Sequence, residues 1–223
     1  MPALTINWME EHLTLLPERA VYWEKAAMLL IADVHLGKAS TFRSAGIPIP
    51  EGHDQEDLTR LSNLLQTYSI QQLVVLGDWI HAEIGMQPHL IATINQWRNA
   101  HEQLTIHWVP GNHDRAVHDL ATTWNMELCN RQQKHPPFIF QHHPDPSASG
   151  ATIAGHIHPC FTPTLGGKRG PRMPCFVFQQ HCAILPAFGS FVGGCNWQRS
   201  AGEAIYLIVD NNVIAWQLAD TRS

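Results

Sequence analysis

The chain has 223 residues, 44% of them hydrophobic, with 14 lysines and arginines against 19 aspartates and glutamates and a net charge of −5. That length suits one well-buried domain spanning 1–223, and the charge excludes a broad cationic face for gripping duplex DNA. No apolar run approaches the ~18 residues that cross a bilayer, and Met1-Pro2-Ala3-Leu4-Thr5 does not begin a signal sequence, so a cytoplasmic protein with no membrane partner is expected.

In chain order, the apolar run Met28-Leu29-Leu30-Ile31-Ala32 ends in Asp33-Val34-His35, and Leu73-Val74-Val75-Leu76 ends in Gly77-Asp78. Ile106-His107-Trp108-Val109 leads through Pro110 into Gly111-Asn112-His113-Asp114. Phe138-Ile139-Phe140 precedes His142-His143, and Thr152-Ile153-Ala154 precedes Gly155-His156-Ile157-His158. Continuous apolar runs of this length read as strands buried on both faces. Their polar residues then fall at strand ends, where open α/β sheets place sites, and the glycines allow sharp turns there.

Helices fill the intervals. Glu51 to Tyr68 places Leu58, Leu61, Leu64 and Leu65 on one face, with Asp54, Glu56 and Asp57 suited to the positive end of the helix dipole. Pro88 to Asn99 carries Leu90, Ile91, Ile94 and Trp97, and a third helix is expected from Arg115 to Trp124; Trp97, Trp108 and Trp124 are assigned to the core. After His158 the pattern changes to short β-type runs, Cys175 to Gln179, Cys182 to Leu185, Ala204 to Val209 and Val213 to Leu218, with Asp210-Asn211-Asn212 as a hairpin turn. The pattern by itself is α/β with an antiparallel C-terminal part.

The five polar clusters offer Asp, Asn and His donors and no thiolate. Two divalent cations about 3.5–4 Å apart need a shared carboxylate with oxygen and imidazole ligands, and a hydroxide between them can attack phosphorus in line. Such donors suit Mn²⁺, Fe or Zn²⁺. An Asp-x-His or Gly-Asp alone is an ordinary turn; five clusters together point to two-metal phosphoester hydrolysis. The five cysteines form no Cys-x-x-Cys pair and no disulfide framework is expected, with Cys160 serving as a small buried apolar group.

The order Asp-x-His, Gly-Asp, Gly-Asn-His-Asp, His, Gly-His-x-His resembles the calcineurin-like metallophosphoesterase superfamily from Asp33 to His158. The resemblance implies a four-layer α/β/β/α sandwich of two mixed β-sheets flanked by helices. It implies that Asp33, His35, Asp78 and His158 hold one metal, and that Asp78, Asn112, His142 and His156 hold the other, with Asp78 as the bridge. His143 is the alternative to His142. His113 resembles the catalytic histidine that contacts the scissile phosphate or protonates the leaving oxygen, with Asp114 orienting its ring.

Asp33 to Lys38, running into Phe42 to Gly52, together with Leu185 to Gly194, is similar to the ligase-associated metallophosphoesterases of the PdeM type. That group implies a Mn²⁺-dependent DNA endonuclease, acting on single strands, in DNA repair beside a DNA ligase and a helicase. Gly77-Asp78-Trp79-Ile80-His81 also resembles the turn of double-strand-break repair nucleases, making His81 either a substrate contact or a solvent-facing histidine.

Arg43 either contacts a substrate phosphate or pins its loop through Glu51. Lys168-Arg169-Gly170-Pro171-Arg172 reads as a mobile loop, either tracking a nucleic-acid backbone or a solvated tip. The alternative function is a phosphatase or a small-molecule, including cyclic-nucleotide, phosphodiesterase. One metal core serves many substrates, and the acidic net charge also favours this alternative.

Overall fold

The computed structural model describes residues 3–114 and 118–216. Its first sheet contains β1 (Leu4–Trp8), β2 (Glu11–Leu16), β3 (Ala20–Trp23), β4 (Met28–Ile31), β5 (Gln72–Leu76), β6 (Thr105–Val109) and β7 (Glu127–Leu128), in that spatial order. The strands are antiparallel up to β4 and parallel from β4 to β7. Helices α1 (Lys38–Ser44), α2 (His53–Thr67), α3 (Pro88–Ala100) and α4 (His118–Thr123) lie in the connections.

The chain then forms β8 (Gln132–His135), β9 (Phe138–Gln141), β10 (Ala151–Ala154) and β11 (Pro159–Phe161), followed by a separate hairpin of β12 (Thr164–Leu165) and β13 (Lys168–Arg169). It continues through β14 (Met173–Phe178), β15 (Cys182–Ile184), β16 (Cys195–Asn196), β17 (Ala204–Val209) and β18 (Asn212–Trp216). Without the hairpin, these make a mixed second sheet in the order β16-β11-β14-β15-β10-β9-β8, with β17 paired to β14 and β18.

Strand alternation sorts the core into layers. On β4, β5 and β6 the side chains of Leu29, Ile31, Leu73, Val75, Ile106 and Trp108 face the apolar sides of α2 and α3. Their neighbours Leu30, Ala32, Val74, Leu76 and Val109 face Phe138, Phe140, Ile153, Phe176 and Phe178 of the second sheet. The outer face of that sheet carries Cys175, Val177, Ile184 and Ile205, covered by Phe161, Trp197 and Trp216. Each fully buried aliphatic or phenyl side chain contributes roughly 1.5–3 kcal/mol relative to exposure. Two packed mixed sheets match the expected architecture, with the helices among the described residues on the outside of the first sheet.

Trp97, Trp108 and Trp124 are buried as expected. The expected third helix is observed from His118, residues 115–117 lying outside the described part, as do residues 217 and 218 of the last expected strand. Two expectations need correction. The Lys168–Arg172 segment is not a simple loop, because Lys168 and Arg169 pair with Leu165 and Thr164 around Gly166-Gly167, both at positive φ. The stretch after His35 is also not all loop, since α1 begins at Lys38. No helix among the described residues is long and apolar enough to cross a membrane.

Candidate metal centre

Side chains from both sheets meet above the ends of β4, β5, β6, β9 and β10. Asp33, His35, Asp78, His156 and His158 all adopt positive φ, between 47 and 68°. For non-glycine residues this conformation costs roughly 1–2 kcal/mol each, so the surrounding packing must hold them there. Close approach makes the neighbouring glycines necessary: a Cβ on Gly77 would overlap the His142 ring, and one on Gly111 would overlap the Asp78 carboxylate.

The donors form two halves around one carboxylate. In the first, His35 Nε2 is 3.4 Å from His158 Nε2, and Asp33 Oδ1 is 3.5 Å from that same nitrogen. In the second, His142 Nε2 is 2.9 Å from Asn112 Oδ1 and 3.1 Å from His156 Nδ1. Asp78 Oδ2 lies between them, 3.7 Å from His35 Nε2 and 3.6 Å from His142 Nε2, while its Oδ1 accepts the His113 backbone N–H at 2.9 Å.

This arrangement fits divalent ions. Asp33 Oδ1 is buried without a hydrogen-bond partner, which is costly unless a cation takes its lone pairs. Imidazole nitrogens facing one another at 3.1 and 3.4 Å would repel as paired lone pairs and are relieved by a bound cation. The peptide carbonyls of Leu76 and Gly193 face Nδ1 of His142 and His158 at 3.1 Å, fixing the tautomer that frees each Nε2 to bind.

Burial sets the protonation of these rings. It pushes His35 down to about 2, helped by His158 and Lys38, and His81 and His156 down to about 4. It raises Asp78, against the pull of His142. For His158 burial acts downward but is outweighed by Asp33, so its affinity for a proton rises. Since the three depressed groups lie below the ordinary imidazole value, they stay neutral as the pH falls through 6.5. In imidazole ¹⁵N spectra of metal-free protein, His35, His81 and His156 are therefore expected to remain essentially neutral between pH 8 and 6. Titration of all three near pH 6.5 would contradict the geometry.

Several expected site residues occupy other roles. Asp114 does not orient the His113 ring: its carboxylate accepts from Trp108 Nε1 at 3.0 Å, Gly111 N at 2.9 Å and Ile80 N at 3.2 Å, fixing the loop that presents Asn112. The His113 Nδ1 partner is the His81 carbonyl at 2.7 Å. His81 is brought into the cluster, its Nδ1 3.2 Å from His35 Nδ1 and its ring stacked on His113. Arg43 donates to the carbonyls of Ile49 and Pro50 and to Ser40 Oγ, pinning its loop without Glu51. His142 is buried and touches Asn112, whereas His143 is exposed and stacks edgewise on His156.

Sequence reading passed over the clasp around Leu185 to Gly194. Arg19 donates to the carbonyls of Ala187 and Gly189, Arg60 to that of Phe188, and both carboxylate oxygens of Asp57 accept the Ser190 N–H at 3.0 Å. Asp57 and Arg60 also pair at 2.9 Å, and Asp54 takes the Gly37 N–H at 2.8 Å. The clasped segment bonds Ala32 O through Phe188 N and reaches His158 through Gly193 O. The i, i+3 spacing of Asp57 and Arg60 was the available signal. Arg60→Ala should leave Asp57 buried without its cation and lower stability by about 3 kcal/mol. It should also weaken metal binding about tenfold by loosening His158, as read by thermal melts and Mn²⁺ titration; unchanged metal affinity would limit the clasp to folding.

Comparison with known proteins follows the same lines. Residues 27–161 match the model of the calcineurin-like phosphoesterase family. Among solved structures, the chain is similar to the nuclease MPE of Pseudomonas putida, with 34% identity, a TM-score of 0.82, and coverage of 96% of this chain and 100% of that one. A protein of unknown function from Aquifex aeolicus aligns at 18% identity and a TM-score of 0.39, covering 59% of this chain and 78% of that one. The comparison with curated proteins found no match. With the matched segment containing all of the clustered donors, the chain belongs to the calcineurin-like phosphoesterase family and is a metal-dependent phosphoester hydrolase.

Proposed function

We propose that this protein is a two-metal phosphodiesterase acting on nucleic acid, as an endonuclease on single-stranded DNA in cytoplasmic DNA repair, beside a ligase and a helicase. The observation that carries the reading is similarity to a nuclease across 96% of the chain at 34% identity. Asp33, His35, Asp78 and His158 would hold one ion, and Asp78, Asn112, His142 and His156 the other. Carboxylate, amide and imidazole donors suit Mn²⁺ as the working metal. When bound, the ions supply Lewis acidity and an activated water.

The protein's own groups then divide the work. Asp78 ties the two halves together and, through the His113 N–H, positions the loop that carries Asn112 and His113. The His81 carbonyl keeps the His113 proton on Nδ1 of the neutral ring. Its Nε2 meets the leaving oxygen and, in the protonated ring, donates to it. His81 borders this position and is assigned to the substrate side of the cluster. Asp114 acts indirectly, by holding the Gly111 turn.

A second reading, a small-molecule phosphoesterase, is favoured by the net charge of −5. The two are separated by giving Mn²⁺-loaded protein a chromogenic phosphodiester, its phosphomonoester and circular single-stranded DNA. Cutting of the circle that is lost with Asp78→Asn supports the endonuclease. Ester turnover with the circle intact supports the second reading.

A further inference from the structure

Internal contacts occupy most cations of the described residues. Arg19, Arg60 and Arg98 donate to buried carbonyls, Arg43 and Arg172 hold loops, Arg199 bonds the Glu203 carbonyl and Lys25 pairs with Glu11. Lys38, Arg131, Lys134, Lys168 and Arg169 have no hydrogen-bond or ion-pair partner among the described residues, and of these Arg131 is the exposed one that lines the cavity beside Asn112 and His142.

Arg131 stands beside a cavity of about 480 Å³ that opens from the second half of the metal centre, with Asn112 and His142 in its wall. That volume falls in the roughly 300–1,000 Å³ range of small-ligand pockets. Gln132, at the start of edge strand β8, donates from Nε2 to Gln141 Oε1 at 2.9 Å, leaving its own carbonyl oxygen without a described partner. The exposed His143 adds another polar ring. Asp145 also lines the cavity, but its Oδ1 accepts from Ser147 N at 3.0 Å and Ser147 Oγ at 2.6 Å.

One cation and neutral polar groups, with the Asp114 and Asp145 carboxylates of the same lining already taken by internal donors, match one nucleotide of a polyphosphodiester beside a phosphoester-cleaving centre. We infer that this cavity seats the nucleotide adjoining the scissile phosphate, with the Arg131 guanidinium on the neighbouring phosphate and Gln132 and His143 toward its sugar or base. The inference rests on the nucleic-acid reading above and deepens it: a chain gains this contact, whereas a small diester leaves it unused. Local charge at Arg131 reconciles substrate binding with an acidic whole.

The test compares wild type, Arg131→Ala and Arg131→Lys, each loaded with Mn²⁺, on a single-stranded oligonucleotide and on bis(p-nitrophenyl) phosphate. For Arg131→Ala, KM on the oligonucleotide should rise about tenfold, as for loss of one charge-assisted phosphate contact. The salt dependence of log kcat/KM should flatten by about 0.7, with Arg131→Lys keeping the wild-type slope and the small diester unaffected. Unchanged KM and slope on the oligonucleotide overturn the inference while leaving the nuclease reading standing. Equal losses on both substrates overturn it as well, placing Arg131 in support of the metal centre. Wild type that hydrolyses the small diester but never the oligonucleotide removes both readings.

Discussion

Replacing Asp78 by Asn is expected to cut Mn²⁺-supported diester turnover at least about 10³-fold and to weaken metal retention in both halves of the centre, because several kcal/mol of transition-state stabilisation depend on the ions. The Asn oxygen can still accept the His113 N–H, so the loop has a means of staying in place. What is lost is the charge of the one carboxylate oxygen that faces His35 and His142 alike, at 3.7 and 3.6 Å. Metal analysis after gel filtration decides the matter. Two ions retained with wild-type affinity would show that Asp78 is not the bridge.

Replacing His113 by Ala should spare metal binding, since no donor of either half is touched, yet slow turnover by about 10²–10⁴-fold on substrates with poor leaving groups. Loss should be smaller for nitrophenyl esters, whose leaving oxygen departs without needing a proton. The logic is local: the His81 carbonyl fixes Nδ1, and Nε2 has no protein partner among the described residues. Rates across diesters of graded leaving-group basicity give the answer. A uniform loss would assign His113 to electrostatic stabilisation of the phosphate.

Some parts of the fold were harder to read than others. Helix α1 has seven residues with two serines and a threonine and no apolar period, so its helicity rests on tertiary contacts. The close passage of Gly85 against Gly37 O and Thr41 Oγ1, and the Asp54 carboxylate that takes the Gly37 N–H, are among those contacts. Strand β1 carries a period-2 alternation that was available in the sequence, with Leu4, Ile6 and Trp8 half-buried and Thr5 and Asn7 exposed. Arg43 looked like a phosphate ligand because a guanidinium suits phosphate; backbone carbonyls three-dimensionally near it took its donors first.

By itself, the sequence determined the strand-end positions of the polar clusters, the helices α2 and α3, and the donor chemistry, because apolar runs of strand length and helical spacing are local properties of the chain. Only the tertiary structure decided how those clusters combine. Asp33, Asp78 and Asn112 follow strands of the first sheet, while His142, His156 and His158 follow strands of the second, and face-to-face packing brings the two sets within contact. Long-range packing also sent Asp57 with Arg60 to the backbone beside His158, whereas Asp114 met Trp108 and Arg43 its own loop within seven residues of chain. Where a polar side chain ends up depends on which buried backbone groups lack partners once the sheets have closed, and that is set by packing across the fold rather than by spacing along the chain.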